Sequence, residues 1–250
     1  MKILGIHDGH NASAALVVDG ELKYAASEER YSRLKHHYGF PKNAINKILS
    51  ITKLEIDDID AIAMSTKTLP PKYFYTRRNS TFTIKDYLRE QSQYWYPKIY
   101  KNENPKYLDI FKDKINLKYF PYDQSLINDE DDYEGMWNAR KSHLLKTFKI
   151  NSKKIHVFDH HNCHAAYGWG TNPLNNLQDS LILTVDGGGD NCNASVSIAK
   201  KNKSLEEISR SSNCNIGRMY RYATLILGMR PADHEYKLMG LAAHNSEKYG

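Results

Sequence analysis

One pattern constrains this chain more than any other, because it occurs twice. "GIHDGHNASAALVV", Gly5 to Val18, and "TVDGGGDNCNASVSI", Thr184 to Ile198, each read as a strand, an Asp-Gly turn, an Asn-Ala-Ser step and a second strand. An internal repeat of this form predicts two related lobes with a ligand between them. Around the first copy, "KILGIHD", "SAALVVDG" and "ELKYAASEE" give three strands, with Asp19-Gly20 as a hairpin signal. "PKNAINKILSI" starts with Pro41 and spaces Ala44, Ile45, Ile48 and Leu49 on one helical face. Strands at 58–66 and 154–160 and helices at 133–148, 216–228 and 234–244 complete the pattern. Three strands followed by alternating helix and strand predict an α/β domain with a mixed sheet. The first lobe is expected over residues 1–178, with a Tyr-rich basic insertion at about 67–133. Residues 179–250 then read as the beginning of a second lobe, shorter than the first.

Composition excludes some classes of protein. No stretch approaches the roughly 18–20 apolar residues of a membrane-spanning helix, and the opening is too polar for a secretory signal. Three cysteines, Cys163, Cys192 and Cys214, form no CxxC pair, so a disulfide framework is not expected. A reducing, cytoplasmic setting is expected. The net charge of +6 is uneven: residues 67–150 hold 16 Lys and Arg against 11 Asp and Glu, and ten of the 18 tyrosines. Such a segment could bind phosphates and stack on bases, with Arg77, Arg78 and Lys85 as its cations. The plainer reading is a solvated helical insertion, and nucleic acid is not the expected partner.

Four clusters could carry chemistry. In "VFDHHNCHAAYGWG", Val157–Gly170, a helix starting near His160 puts His160 and His164 on one face, where two neutral imidazoles can share a divalent ion. Helix-end histidines satisfied by backbone and water are the alternative, and Cys163 lies off that face as a small buried side chain. In "TVDGGGDN", Gly187, Gly188 and Gly189 allow backbone to approach an anion, and Asp186 and Asp190 suit a metal-bound phosphate or a hydroxyl. An ordinary hairpin turn explains the same residues. His7, Asp8 and His10 close the first strand, and Glu28, Glu29, Arg30, Arg33, Lys35 and His36 follow the third. Acid, base and fixed charge would meet there, or form an exposed salt-bridged loop. In "EYKLMGLAAH", Met239 to Ala242 offers small residues for close packing.

Six ordered motifs together resemble the N-terminal part of the O-carbamoyltransferases of nodulation and antibiotic tailoring. They are "GIHDGHNASAALVVDG", "EERYSRLKH" with its following "FP", "HHNCHAA", "VDGGGD", "GRMYRYATLILG" and "EYKLMGLA". The resemblance covers nearly the whole chain except 67–133. It implies an actin-like (ribonuclease H-like) ATPase lobe, related to the metalloprotein that adds threonylcarbamoyl to tRNA. It further implies transfer of a carbamoyl group from carbamoyl phosphate, through an ATP-derived carbamoyl-adenylate, to an acceptor hydroxyl on a sugar or small metabolite. By carry-over, His160 and His164 would hold a divalent metal, Fe2+ by expectation. Asp186, Gly187, Gly188, Gly189 and Asp190 would lie beside the nucleotide. His10 would be the general base; by residue type alone, Asp8 would orient it or the acceptor, and Lys35 with Arg33 would counter phosphate charge. Family members are about twice this length, and their third metal ligand, an aspartate, comes from a later segment. The adenylate-forming domain would therefore come from the remainder of the polypeptide or a partner chain, and this region alone is expected to be inactive. A sugar kinase or other actin-like ATPase is the competing reading.

Overall fold

A computed structural model describes residues 1–173, 178–201 and 204–244. The N-terminal half is built on a five-stranded mixed sheet in the order β3-β2-β1-β4-β5. Its strands are β1 (Lys2–His7), β2 (Ser13–Val18), β3 (Glu21–Ser27), β4 (Ala61–Ser65) and β5 (Ile155–Phe158). The first three form an antiparallel meander, and β4 and β5 run parallel to β1. Asp19 and Gly20 both take positive φ, 51° and 85°, the two-residue turn whose twist suits a hairpin. The expected mixed α/β class is what the chain forms, and the order and senses of these strands suit the expected actin-like lobe.

Alternation sends Leu4, Ile6, Ala14, Leu16, Ile62 and Met64 to one face of this sheet. Helix α1 (Lys42–Thr52) covers that face with Ala44, Ile45 and Ile48, all fully buried. Its N-terminus is held by the buried carboxylate of Glu28, which accepts from the Ala44 N–H at 2.8 Å and the Asn43 side-chain amide at 2.7 Å. Each fully buried aliphatic side chain contributes about 1.5–3 kcal/mol.

The insertion between β4 and helix α3 (Tyr133–Phe148) is not merely solvated. It folds as short helices, including α2 (Ile84–Arg89), around a second core of Phe82, Tyr87, Tyr94, Tyr107 and Phe111. Arg78 lies in this core and donates from Nε and Nη2 to the buried Glu90 carboxylate, which also accepts from Tyr107 Oη at 2.8 Å. Arg77 stacks over Tyr119 at 4.5 Å. Two of the three cations a nucleic-acid reading needs are therefore turned inward. Alternating polar and aromatic residues hid this core, because Tyr94 and Tyr107 bury their rings while their hydroxyls meet charged partners, Lys72 and Lys98 for one and Glu90 for the other.

After β5, helix α4 (His160–Gly170) leads to a three-stranded antiparallel sheet of β6 (Ser180–Gly189), β7 (Cys192–Ala199) and β8 (Leu205–Ser211). Helices α5 (Ile216–Ile226) and α6 (Glu235–Ala242) follow. The β6–β7 turn repeats the β2–β3 geometry, with Asp190 and Asn191 at φ 50° and 58°. The second meander thus matches the first, including β8, which the sequence reading had not marked. Among the described residues no helix is long and apolar enough to cross a membrane.

Candidate metal centre and cleft

The helix carrying the histidines begins where its cap requires. Asp159, the N-cap of α4, accepts from the His161 N–H at 2.9 Å and the Asn162 N–H at 3.3 Å. His160 is therefore the first helical residue, and His164 lies one turn along the same face. Their Nε2 atoms are 3.0 Å apart. Asp186, from the end of β6, places Oδ2 2.7 Å from His160 Nε2 and 3.6 Å from His164 Nε2. Ligand atoms from these three residues all lie within 4.8 Å of one another. Burial would raise the Asp186 carboxyl pKa, but the adjacent His160 and His164 imidazoles hold it well below the usual range. The Asp186 carboxylate in turn raises the His164 pKa against its own partial burial.

These side chains fit a divalent ion. Two imidazole nitrogens and a carboxylate oxygen about 3 Å apart match the edges of a polyhedron whose metal–ligand bonds are about 2.1 Å. Two histidines and one carboxylate on one face, with other positions open, is the donor set associated with Fe(II). The other members of the cluster take no part. His161 turns into the core, fully buried, with Nδ1 2.7 Å from Thr184 Oγ1. Burial pushes the Cys163 thiol up to about 11, so it is protonated at neutral pH.

The five residues of the glycine turn, expected beside the nucleotide, have different surroundings. Asp186 faces the histidines. Asp190 faces the first lobe: it accepts from the N–H groups of Lys67 at 3.0 Å, Thr68 at 2.6 Å and His160 at 2.8 Å, and from Thr68 Oγ1 at 2.7 Å. Its oxygens are fully engaged within the protein. Gly189 is required by a side chain, since a Cβ there would lie 2.3 Å from Cδ2 and Cγ of the His160 ring. Gly188, at φ +143°, needs the freedom of glycine, whereas a Cβ on Gly187 would meet nothing within 4 Å.

The three candidates from the first strand and its neighbours separate. His10 is exposed, and His7 Nε2 lies 3.0 Å from its carbonyl oxygen. Crowding by surrounding protein, helped by His7, lowers the His10 pKa to about 4 despite an opposing pull from Asp186. The ring is neutral at pH 7. Asp8 is buried and its carboxylate is spent: Arg140 of α3 donates from Nη2 to Oδ1 at 2.7 Å and from Nε to Oδ2 at 2.9 Å. Tyr122 Oη adds a third bond at 2.7 Å. Those contacts anchor the β1 terminus rather than orient His10. Arg140 and Tyr122 escaped the sequence reading because nothing local to a helical arginine signals a partner 132 residues away.

Lys35 pairs with Asp233 at 2.5 Å, and His36 Nε2 reaches the same oxygen at 3.1 Å. Burial would raise the Asp233 pKa, but the Lys35 and His36 hydrogen bonds prevail and bring it to about 2, from an ordinary 3.8. A carboxyl with a depressed folded-state pKa adds stability above its unfolded value and loses it on acidification. Melting curves should therefore show a loss between about pH 4 and pH 2 that Asp233→Asn reduces. An identical acid dependence in the variant would exclude this pair as a contributor.

The pattern that defines the carbamoyltransferase N-terminus matches residues 2–248. The chain belongs to that family. Among curated relatives, the uncharacterized protein MJ1051 of Methanocaldococcus jannaschii is 27% identical over 246 residues, 98% of this chain and 34% of that protein. Nodulation protein NolNO of Sinorhizobium fredii is 26% identical over 237 residues, 94% of this chain and 28% of its own. The chain thus spans about a third of the length of these curated relatives. Among solved structures, the Lmo2764 protein of Listeria monocytogenes aligns with 98% of this chain and 72% of its own at 12% identity and a TM-score of 0.39.

Proposed function

We propose that this chain is the N-terminal region of an ATP-dependent carbamoyltransferase that delivers a carbamoyl group to an acceptor hydroxyl. The observation that carries the reading is the convergence of His160, His164 and Asp186, with the neutral imidazole of His10 near enough to feel the charge of Asp186. These three residues would hold the divalent ion, Fe2+ by donor set, which when bound would neutralise phosphate charge and polarise the carbamoyl donor. The donor would be a carbamoyl-adenylate made from carbamoyl phosphate and ATP by the remainder of the polypeptide or by a partner chain. Its phosphate would lie against Gly187 and Gly188. Arg218, whose Nε donates to the Gly187 carbonyl at 3.2 Å, stands beside that turn.

His10 would accept the proton of the acceptor hydroxyl as its oxygen bonds to the carbamoyl carbon. The bond from that carbon to the phosphate oxygen breaks, and AMP leaves with the electron pair. His7 supports the base through its contact with the His10 carbonyl oxygen. Asp8 acts one step away by fixing the strand end from which His10 projects. A kinase or other ATPase of related fold has no evident use for the His160–His164–Asp186 group.

Two measurements test this reading. Metal analysis after incubation with Fe2+ should give a bound ion for the parent chain and none for the His160→Ala, His164→Ala double variant, with unchanged circular dichroism. Equal metal in both would end the ligand assignment. In a full-length polypeptide carrying this region, His10→Ala should slow carbamoyl transfer by about 10²–10⁴-fold while adenylate formation continues. Undiminished transfer would remove His10 from the mechanism.

A further inference from the structure

Thr66 immediately follows β4 and has an unusual backbone. Its φ is 83°, a value that β-branched residues seldom adopt because the branched Cβ crowds its own backbone. Such a conformation persists only where the surroundings enforce it. Here they do so from three sides. The Thr66 N–H donates to the Phe158 carbonyl at 2.9 Å, its own carbonyl accepts from Arg140 Nη2 at 3.1 Å, and the residue is 2% exposed. Arg140 is in turn held by Asp8 and also donates to the Lys67 carbonyl at 3.3 Å. The outcome of this enforcement is one contact. Thr66 Oγ1 lies 3.2 Å from Nδ1 of His160, the ring nitrogen remote from Asp186 and His164.

We propose that Thr66, held in its left-handed conformation by Arg140, is a positioning residue that sets the tautomer and aim of the His160 imidazole. The inference rests on the metal reading above. For Nε2 to present a lone pair to an ion, the proton must sit on Nδ1, and Thr66 Oγ1 is placed to accept it. Partners of this kind characteristically orient metal-bound histidines, and their loss weakens binding by 10–100-fold. Arg140 thus links two parts of the cleft, since one guanidinium secures both the strand end bearing His10 and the residue that aims His160.

The test is Co2+ titration of the 250-residue chain, followed by calorimetry and by the visible absorption of the bound ion. Thr66→Val, which keeps the shape but cannot accept the Nδ1 proton, should bind Co2+ about 10–100-fold more weakly with an altered spectrum. Thr66→Ser, which keeps the hydroxyl, should bind like the parent. Thr66→Ala removes the hydroxyl without adding bulk and provides the same comparison should the valine variant not fold. Parent-like affinity and spectrum in a folded variant lacking the hydroxyl would overturn the proposal while leaving the metal site intact. Failure of the parent itself to bind Co2+, or binding unaffected by loss of His160 and His164, would overturn the metal reading and this inference with it.

Discussion

Gly189→Ala should weaken metal binding on the order of 100-fold, although it adds a single methyl group to a surface turn. The new Cβ would lie 2.3 Å from two atoms of the His160 ring, far inside van der Waals contact. Either the imidazole swings away from Asp186 and His164 or the β6–β7 turn retreats and takes Asp186 with it. Both movements break up the three-residue donor set. Gly187→Ala is the internal control, because its Cβ meets nothing within 4 Å and Gly187 is not held at positive φ. Its metal affinity should match the parent. Equal affinities for all three proteins would mean that the ring and the turn are not packed as described.

The second large effect concerns stability. Arg140 and Asp8 are both essentially inaccessible to solvent, at 0% and 1% exposure. Removing either partner strands the other charge in the interior, which costs about 3–5 kcal/mol. For a chain of this size that corresponds to a fall in melting temperature of roughly 6–20 °C. Asp8→Ala and Arg140→Ala should each fall in that range. The double variant should lose less than the sum, because no unpaired charge remains. Strict additivity would show that the two groups do not depend on one another. Acid should act in the same direction as Asp8→Ala: burial would raise the Asp8 pKa, but Arg140 and Tyr122 keep it below the normal value. The contribution is therefore present above the unfolded carboxyl pKa and lost below it.

Much of the architecture was legible in the sequence because it is governed by local rules. Period-two alternation marked β1, β2 and β4, Asp-Gly chemistry marked the β2–β3 turn, and proline at the start of an apolar helical face marked α1. The repeated motif anticipated the second meander. Charge-rich segments obscured the rest. β8 alternates too weakly to stand out, and its pattern "LEEISRS" exposes most of its side chains. In the Tyr-rich insertion, burial of Arg78 and Lys72 depends on partners far away in sequence, Glu90 and Asp131, and no local periodicity reveals such pairs. At the candidate site, helical spacing placed His160 beside His164. In the glycine turn, residue type does not reveal that Gly189 is needed by a neighbouring imidazole. Thr66 gave no signal at all, since a backbone conformation imposed by tertiary contacts leaves no trace in residue type.

The four hydrogen bonds accepted by Asp190 have a mechanical meaning. They join the tip of the second meander to the loop after β4 and to the start of α4 at a single carboxylate. The two halves are therefore riveted in more than one place, because Asp233 is likewise bound by Lys35 and His36 of the other half.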